Sequence, residues 1–299
     1  MSQLSKAKMR ENTDIFKCPI CHNQVDMVDL KSLICNQDHC FDLAKSGYVN
    51  FLLNPIKTEY DKTMFQSRNI ICKHGFFEPM LDAVSEIIKE HTDNTANSTD
   101  TIDRKSLILD IGCGEGSHLN RIVENLHRGT RADFVGVGMD ISKDGILIAS
   151  KEYKNCIWCV GDLARSPLRD HKFDVILSIL SPTNYEEFKR LLSGRGLLIK
   201  VVPGENYLKE LREAFYKDTD KQNYSNHKVV QHFYDNFDTV EERKINYEIS
   251  LDREMLTHLI RMTPLSWAAT DDDVERAIPM IGNIITVDFT ILSAVSHHG

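Results

Sequence analysis

Leu107-Ile108-Leu109-Asp110-Ile111-Gly112-Cys113-Gly114-Glu115-Gly116 is an apolar run of strand length that ends in a glycine-rich turn. The next residues, Ser117–Leu126, carry helical periodicity. A strand that runs through a glycine turn into a helix is how an open α/β sheet presents backbone N–H groups to a ligand. Glycine tolerates positive φ and lets the backbone approach a ligand closely. The G-x-G-x-G pattern alone is equally compatible with a nicotinamide or flavin enzyme. Asp110 changes the balance: a carboxylate at the strand tip pairs with the ammonium of a methionine moiety, whereas it repels a pyrophosphate. The last glycine of the dinucleotide fingerprint G-x-G-x-x-G is also missing, since Ser117, His118 and Leu119 follow the turn.

Downstream, strand and helix patterns alternate. Strands are expected over Asp133–Met139, Cys156–Val160, Phe173–Leu180 and Gly196–Val202, with helices over Asp144–Tyr153 and Tyr185–Leu192. Val240–Ser250 and Ile284–Ala294 alternate like an antiparallel pair that closes the sheet. The fold class is therefore α/β, a Rossmann-like seven-stranded sheet of the S-adenosylmethionine-dependent methyltransferase kind. Asp140 ends the second strand, where an acidic residue takes ribose hydroxyls, and Asp162 follows the third, a place suited to the adenine amino group. Taken singly, each of these carboxylates reads better as a helix N-cap or a loop carboxylate. Together with Asp110, Gly112 and Gly114 they form one constellation at the sheet's ligand-binding edge.

Upstream, Cys18-x-x-Cys21 and Cys35-x-x-x-His39 supply four zinc-type ligands on two short knuckles. Thiolate and imidazole donors on tight turns suit a tetrahedral ion, and four protein ligands leave no open position, so the site is structural. Cys40 could substitute for His39 at this spacing. A c-type haem on Cys18-Pro-Ile-Cys21-His22 is the other motif match, and it leaves Cys35 and His39 without a role. Residues 1–14 read as a flexible polar lead, 15–55 as the zinc-binding domain, 56–105 as linker helices and a loop, and 106–299 as the methyltransferase domain. The polar stretch 91–104 is expected to be a surface loop, and 64–91 shows helical spacing.

With 41% hydrophobic and 27% charged residues the composition is that of a globular protein. No apolar run has the length of a membrane span and the N-terminus lacks a signal-peptide core, so a cytoplasmic protein is expected. The net charge of -8 argues against a general nucleic-acid affinity, yet residues 1–75 hold 10 basic and 8 acidic residues. Any phosphate-binding surface is expected there, on Lys45, Lys57, Lys62 and Arg68, with Tyr48 and Tyr60 for stacking and Lys209, Arg212 and Lys217 as the fallback. A solvated surface is the plain alternative for each.

The zinc knuckles run into Phe41-Asp42-Leu43-Ala44-Lys45-Ser46-Gly47-Tyr48-Val49-Asn50-Phe51-Leu52-Leu53. That segment resembles the FD-x-A-K-x-G-Y-V-N-L-L stretch of the RlmA-type ribosomal RNA (guanine-N1)-methyltransferases, which include TlrB-like enzymes. The resemblance extends over His74-Gly75-Phe76-Phe77-Glu78-Pro79, the glycine turn, Val202-Pro203-Gly204-Glu205-Asn206-Tyr207-Leu208 and Met262-Thr263-Pro264-Leu265-Ser266-Trp267. It implies methylation of guanine N1 in a hairpin of 23S ribosomal RNA, with S-adenosylmethionine as donor and zinc on Cys18, Cys21, Cys35 and His39. It also implies cofactor contacts from Gly114, Glu115, Phe77 and Tyr207. Position 77 is Phe where that family usually has Tyr, and position 207 is Tyr where His is common. The competing functions are methylation of a small molecule or protein, and RNA binding without catalysis. A homodimer is compatible with the reading, although no sequence feature points to one. The loop Leu180-Ser181-Pro182-Thr183-Asn184 is where the target base is expected; it offers hydroxyls and an amide but no general base. Trp267, Phe77 and Tyr207 are candidate stacking surfaces. Loss of Cys18 is expected to unfold the zinc module while the α/β unit stays folded.

Overall fold

The structure is a computed structural model that describes residues 2–56, 60–96, 105–129, 132–217, 219, 222–267 and 269–296. Residues 2–10, expected to be a flexible lead, form helix α1 (Ser2–Arg10). Its anchor is Met9, which is fully buried, together with Lys8 Nζ donating to the Asn155 carbonyl at 2.8 Å. One buried apolar residue and a few polar tethers hold a helix that its polar composition did not announce. Strands β1 (Val25–Val28), β2 (Ser32–Cys35) and β3 (Cys40–Asp42) form an antiparallel ribbon, in which Leu33 and Phe41 face each other and are buried. The short strand β4 (Val49–Asn50) then leaves this ribbon for the main sheet.

The helical stretch expected over 64–91 is two helices, α2 (Lys62–Lys73) and α3 (Glu78–Ala96). Asp61 caps α2 by accepting from the Met64 N–H at 2.7 Å, and Gly75, at φ +87°, turns the chain between the two helices. Helix α3 runs to Ala96, so the expected loop begins later than position 91; residues 97–104, and Lys57 of the basic set, lie outside the described residues.

Then follow β5 (Lys105–Ile111), α4 (Ser117–Gly129), β6 (Asp133–Asp140), α5 (Lys143–Glu152), β7 (Ile157–Val160), β8 (Phe173–Ile179), α6 (Tyr185–Leu191) and β9 (Leu192–Pro203). The chain ends with α7 (Lys209–Tyr216), α8 (His227–Tyr234), β10 (Val240–Ser250), α9 (Arg253–Met262), α10 (Asp271–Ile281) and β11 (Ile284–Val295). The strand order is β10-β11-β9-β8-β5-β6-β7-β4. Seven of these strands are the expected ones, and β10 and β11 are the expected antiparallel pair in the register Val240↔Ala294 to Ser250↔Ile284. The eighth, β4, pairs in parallel with β7 at the sheet edge, with Val49 opposite Cys159.

Strand alternation divides the core in two. Ile108 and Leu177 face α2, α3, α4 and α9, through Ile71, Val84, Leu119 and Leu256. Leu109, Ile111, Val137 and Ile176 face the opposite way. There they join Phe188 of α6 and Phe233 of α8, but also Phe16, Leu33, Phe41 and Phe51 of the N-terminal ribbon. The ribbon thus shares one hydrophobic core with the main sheet. Among the described residues no helix is long and apolar enough to cross a membrane.

Candidate functional site

The carboxyl ends of β5, β6 and β8 meet at the glycine turn. Gly112, Gly114 and Gly116 adopt φ of +73°, +56° and +85°, which side-chain-bearing residues rarely adopt. A Cβ at Gly112 would lie 2.6 Å from Ser181 Cβ, and one at Gly116 would lie 2.5 Å from the Trp158 ring. The turn is therefore closed on one side by the β8 loop and on the other by β7.

Asp110 is 2% exposed and has no hydrogen-bond partner among the described residues. Burial pushes its carboxyl up to about 7; Arg68 opposes this, while Asp140 and Glu115 add to it. A buried carboxyl with no hydrogen-bonded partner is costly and calls for a cation in direct contact. Asp140 is already engaged: Oδ2 accepts from the Gly114 N–H at 2.8 Å and Oδ1 from the Ser142 N–H at 2.7 Å. It therefore holds the turn as well as facing the expected ribose position, and burial raises its pKa. Asp162 caps the short helix 163–165 by accepting from the Ala164 N–H at 2.9 Å, the plain role weighed for it, which leaves its other oxygen free of that bond.

Glu115 differs from its expected part. It is 1% exposed and points into the protein, accepting from Asn69 Nδ2 at 3.0 Å and Ser117 Oγ at 2.7 Å. Arg68 Nε lies 3.4 Å from it, and Arg68 Nη2 lies 3.2 Å from His118 Nδ1. Its carboxylate ties α2 to the glycine turn. Burial, with the Arg68 charge beside it, holds His118 well below the usual imidazole range, so the ring is neutral. Arg68 is therefore part of a largely buried network and not of the expected basic surface. Neither Asn69 nor His118 carries a sequence signal for this role, because their partners lie in distant segments.

Phe77 and Tyr207 are buried too. Phe77 packs edge-on against Phe76 at 4.9 Å and His118 at 4.7 Å, and Tyr207 lies 4.9 Å from Phe289. They line the core behind the turn and offer no open stacking face. Tyr48 and Arg212 are likewise buried, Arg212 over the Tyr224 ring at 4.5 Å. Lys45, Lys62, Lys209 and Lys217 are exposed. Trp267 is exposed and meets Tyr60 edge-to-face at 5.2 Å.

Lys200 is a further site residue that the sequence did not reveal. It sits opposite Ser178 in the β8–β9 register and is buried, which lowers its amine to about 8. Nζ donates to Ser178 Oγ at 3.1 Å and to the Ser181 carbonyl, and Ser181 Oγ in turn donates to the Ile111 carbonyl at 2.8 Å. The expected target-base loop is thereby pinned to the end of β5. A lysine inside an apolar strand pattern gives no sequence signal for such a role.

In the N-terminal ribbon, Cys18, Cys21, Cys35 and His39 converge, with all their ligand atoms within 4.8 Å of one another. Cys18 Sγ–His39 Nδ1 is 3.5 Å, Cys35 Sγ–His39 Nδ1 is 3.4 Å and Cys21 Sγ–Cys35 Sγ is 3.6 Å. A tetrahedral zinc ion with bonds of ~2.3 Å sets its donors ~3.8 Å apart, so this donor set fits the ion. Cys40 is exposed and its Sγ lies 3.7 Å from Asp42, outside the cluster, so the ambiguity left by the spacing falls to His39.

Comparison with known proteins finds a match for each of the two parts of the chain. The RlmA N-terminal zinc-ribbon family matches residues 16–58, and a methyltransferase-domain family matches residues 102–256. The chain is 44% identical over 280 residues to a Bacillus subtilis (strain 168) protein named "Putative 23S rRNA (guanine-N(1)-)-methyltransferase YxjB", a match covering 93% of this chain and 96% of that protein. It is 27% identical over 290 residues to the 23S rRNA (guanine(748)-N(1))-methyltransferase of Streptomyces fradiae, covering 95% of this chain and 98% of that one.

Proposed function

The chain belongs to the RlmA-type 23S rRNA (guanine-N1)-methyltransferase family, and from that premise we propose how its residues divide the work. The protein is an S-adenosylmethionine-dependent enzyme that methylates N1 of a guanine in a large-subunit ribosomal RNA hairpin. The observation that carries the reading at the residue level is the unpartnered buried carboxyl of Asp110 beside the three-glycine turn. The cofactor, when bound, supplies an electrophilic methyl group. Asp110 receives the methionine ammonium. The Gly112–Gly114 backbone lies against the ligand, and Asp140 shares its carboxylate between the turn and the ribose. Asp162 faces the adenine. Phe77 and Tyr207 shape the wall from behind without touching the ligand, and Glu115 fixes the turn through α2.

Lys200 and Ser181 hold the target-base loop in place and would orient the guanine for methyl transfer once the cofactor is bound; positioning of this kind supplies a large share of rate enhancement in bimolecular transfer. Cys18, Cys21, Cys35 and His39 hold zinc as a structural ion. The protein acts in the cytoplasm, where ribosomal RNA is assembled.

Mass mapping of ribosomal RNA from cells with and without the gene tests this assignment. The expected difference is a methyl group on a large-subunit guanine, placed at N1 by fragmentation. Unmodified RNA in both cultures would point to a small-molecule or protein substrate, or to RNA binding alone.

A second expected result concerns pH. Because burial raises the Asp110 carboxyl to about 7, the free protein carries it partly protonated near neutrality. An incoming ammonium favours the ionised form, so binding releases protons and affinity rises as pH increases through that value. Calorimetry in buffers of different ionisation enthalpy reads the released protons directly. Asp110→Asn is expected to abolish the release and to weaken binding about ten- to a hundred-fold, the loss of one charge-assisted contact. Proton uptake on binding, or a pH-independent affinity in the unmutated protein, would remove Asp110 from the ammonium site.

A further inference from the structure

Tyr60 and Trp267 come from the two ends of the chain and meet on the surface. Tyr60 is 42% exposed and Trp267 is 40% exposed, large values for side chains of this kind. Their centroids are 5.2 Å apart at 84°, an edge-to-face contact. Beneath Tyr60, at 6.2 Å, lies buried Phe65. Phe65 Cε1 in turn lies 3.2 Å from where a Cβ on Gly114 would sit. The exposed pair thus stands one ring away from the cofactor turn.

Trp267 also lines a cavity of about 290 Å³ with Thr257, Ser266, Arg261 and Glu275. Its size is close to the lower end of small-ligand pockets, ~300–1,000 Å³. Glu275 is held by Arg253 at 2.5 Å, whereas the Arg261 guanidinium has no hydrogen bond or ion pair among the described residues. A guanidinium without a bonded partner, lining a cavity with a 40% exposed indole, is the pairing that recognises a phosphate and the base attached to it.

We infer that Tyr60 and Trp267 form a stacking platform for an unpaired base of the RNA hairpin, with Arg261 on the adjoining phosphate. The inference rests on the rRNA-methyltransferase reading and names a contact surface for that substrate. Single-stranded bases suit the site because every base offers a π-face, and a base must leave its stack to reach the cofactor.

The test uses the full-length protein and a synthetic RNA hairpin with an unpaired guanine in its loop, beside a blunt duplex of the same length. The chain has two tryptophans, and Trp158 is 1% exposed, so quenching by RNA reports on Trp267. The hairpin, and not the duplex, is expected to quench emission, and Trp267→Phe is expected to abolish that signal while binding stays within about threefold. Trp267→Ala, and separately Tyr60→Ala, should weaken hairpin affinity about five- to a hundred-fold, the range for loss of one stacked base. The salt slope should not change, since no counterion-releasing contact is lost. S-adenosylmethionine affinity should also be unchanged in each variant. Hairpin binding at unmutated affinity in both alanine variants overturns the platform and leaves the enzyme assignment standing. Quenching by S-adenosylmethionine alone, with matching loss of its affinity in Trp267→Ala, also overturns it, because the rings then cover the cofactor. If the unmutated protein binds neither RNA by filter retention, the reading beneath the platform fails, and the platform with it.

Discussion

Replacing Cys18 and Cys21 together by Ser is expected to release the zinc and to destabilise the whole protein, not the N-terminal ribbon alone. Two of four ligands are lost, and a structural zinc site contributes folding free energy outright. From sequence, the ribbon reads as a separate module whose loss spares the α/β unit. The packing argues otherwise. Phe16, Leu33, Phe41 and Phe51 are buried in the same cluster as Leu109, Ile111, Val137 and Ile176 of the main sheet. Strand β4 extends that sheet, and the Phe51 N–H donates to the Val160 carbonyl at 2.9 Å. Each large apolar side chain withdrawn from burial costs about 1.5–3 kcal/mol. Four of them approach the ~5–15 kcal/mol by which a typical domain is stable at all. Zinc content by plasma emission, thermal unfolding and amide exchange should change together, with lost protection in β6 and β7 as well as in the ribbon. A variant without metal whose β6 and β7 amides keep full protection would falsify the shared-core account.

The part of this fold that could be read from sequence is the part written in local periodicity. Strands β5 to β9 and the β10–β11 pair are apolar runs or alternations bounded by turns, and each was placed to within a few residues. The zinc quartet could be read because its ligands lie within 22 positions of one another on two knuckles. Choosing His39 over Cys40 took three dimensions, since both offsets are permitted and only the fold turns Cys40 outward. The walls of the cofactor site were illegible for the same reason. Asn69 and Glu115 are 46 positions apart, and nothing local marks a polar residue of an amphipathic helix as the partner of a carboxylate in a distant turn. Composition also misled in one direction: Arg68 counted toward a basic surface, and Phe77 and Tyr207 toward open stacking faces, yet all three turn inward. A residue type states what a side chain can do, and its burial decides which of those things it does.

Arg68→Leu is expected to cost about 3–5 kcal/mol of stability, the usual consequence of leaving one charge of a buried pair alone. The Glu115 side chain is 1% exposed, and Arg68 is the cation beside it, with Nε 3.4 Å away. Once the guanidinium is gone, Asn69 and Ser117 remain as donors, but neither carries charge. Arg68 Nη2 also leaves His118 Nδ1 without its partner, in a ring whose Nε2 has none already. The cost therefore combines an uncompensated carboxylate with a newly orphaned imidazole nitrogen. Two further variants separate these contributions. Glu115→Gln in the Arg68→Leu background removes the stranded charge while keeping its shape, and should recover most of the loss. Glu115→Gln alone strands the guanidinium instead, which is 19% exposed in its side chain and can reach water, so its cost should be smaller. Denaturant unfolding of all four proteins closes a double-mutant cycle whose coupling energy reports the pair. A coupling near zero would mean that α2 is held on the glycine turn by apolar packing, with Phe65 against Gly114 as the leading contact, and that the Arg68–Glu115 pair is incidental to it. A large coupling ties the stability of α2 to the geometry of the turn. In that case the same variants should weaken S-adenosylmethionine binding, although neither side chain points toward the ligand.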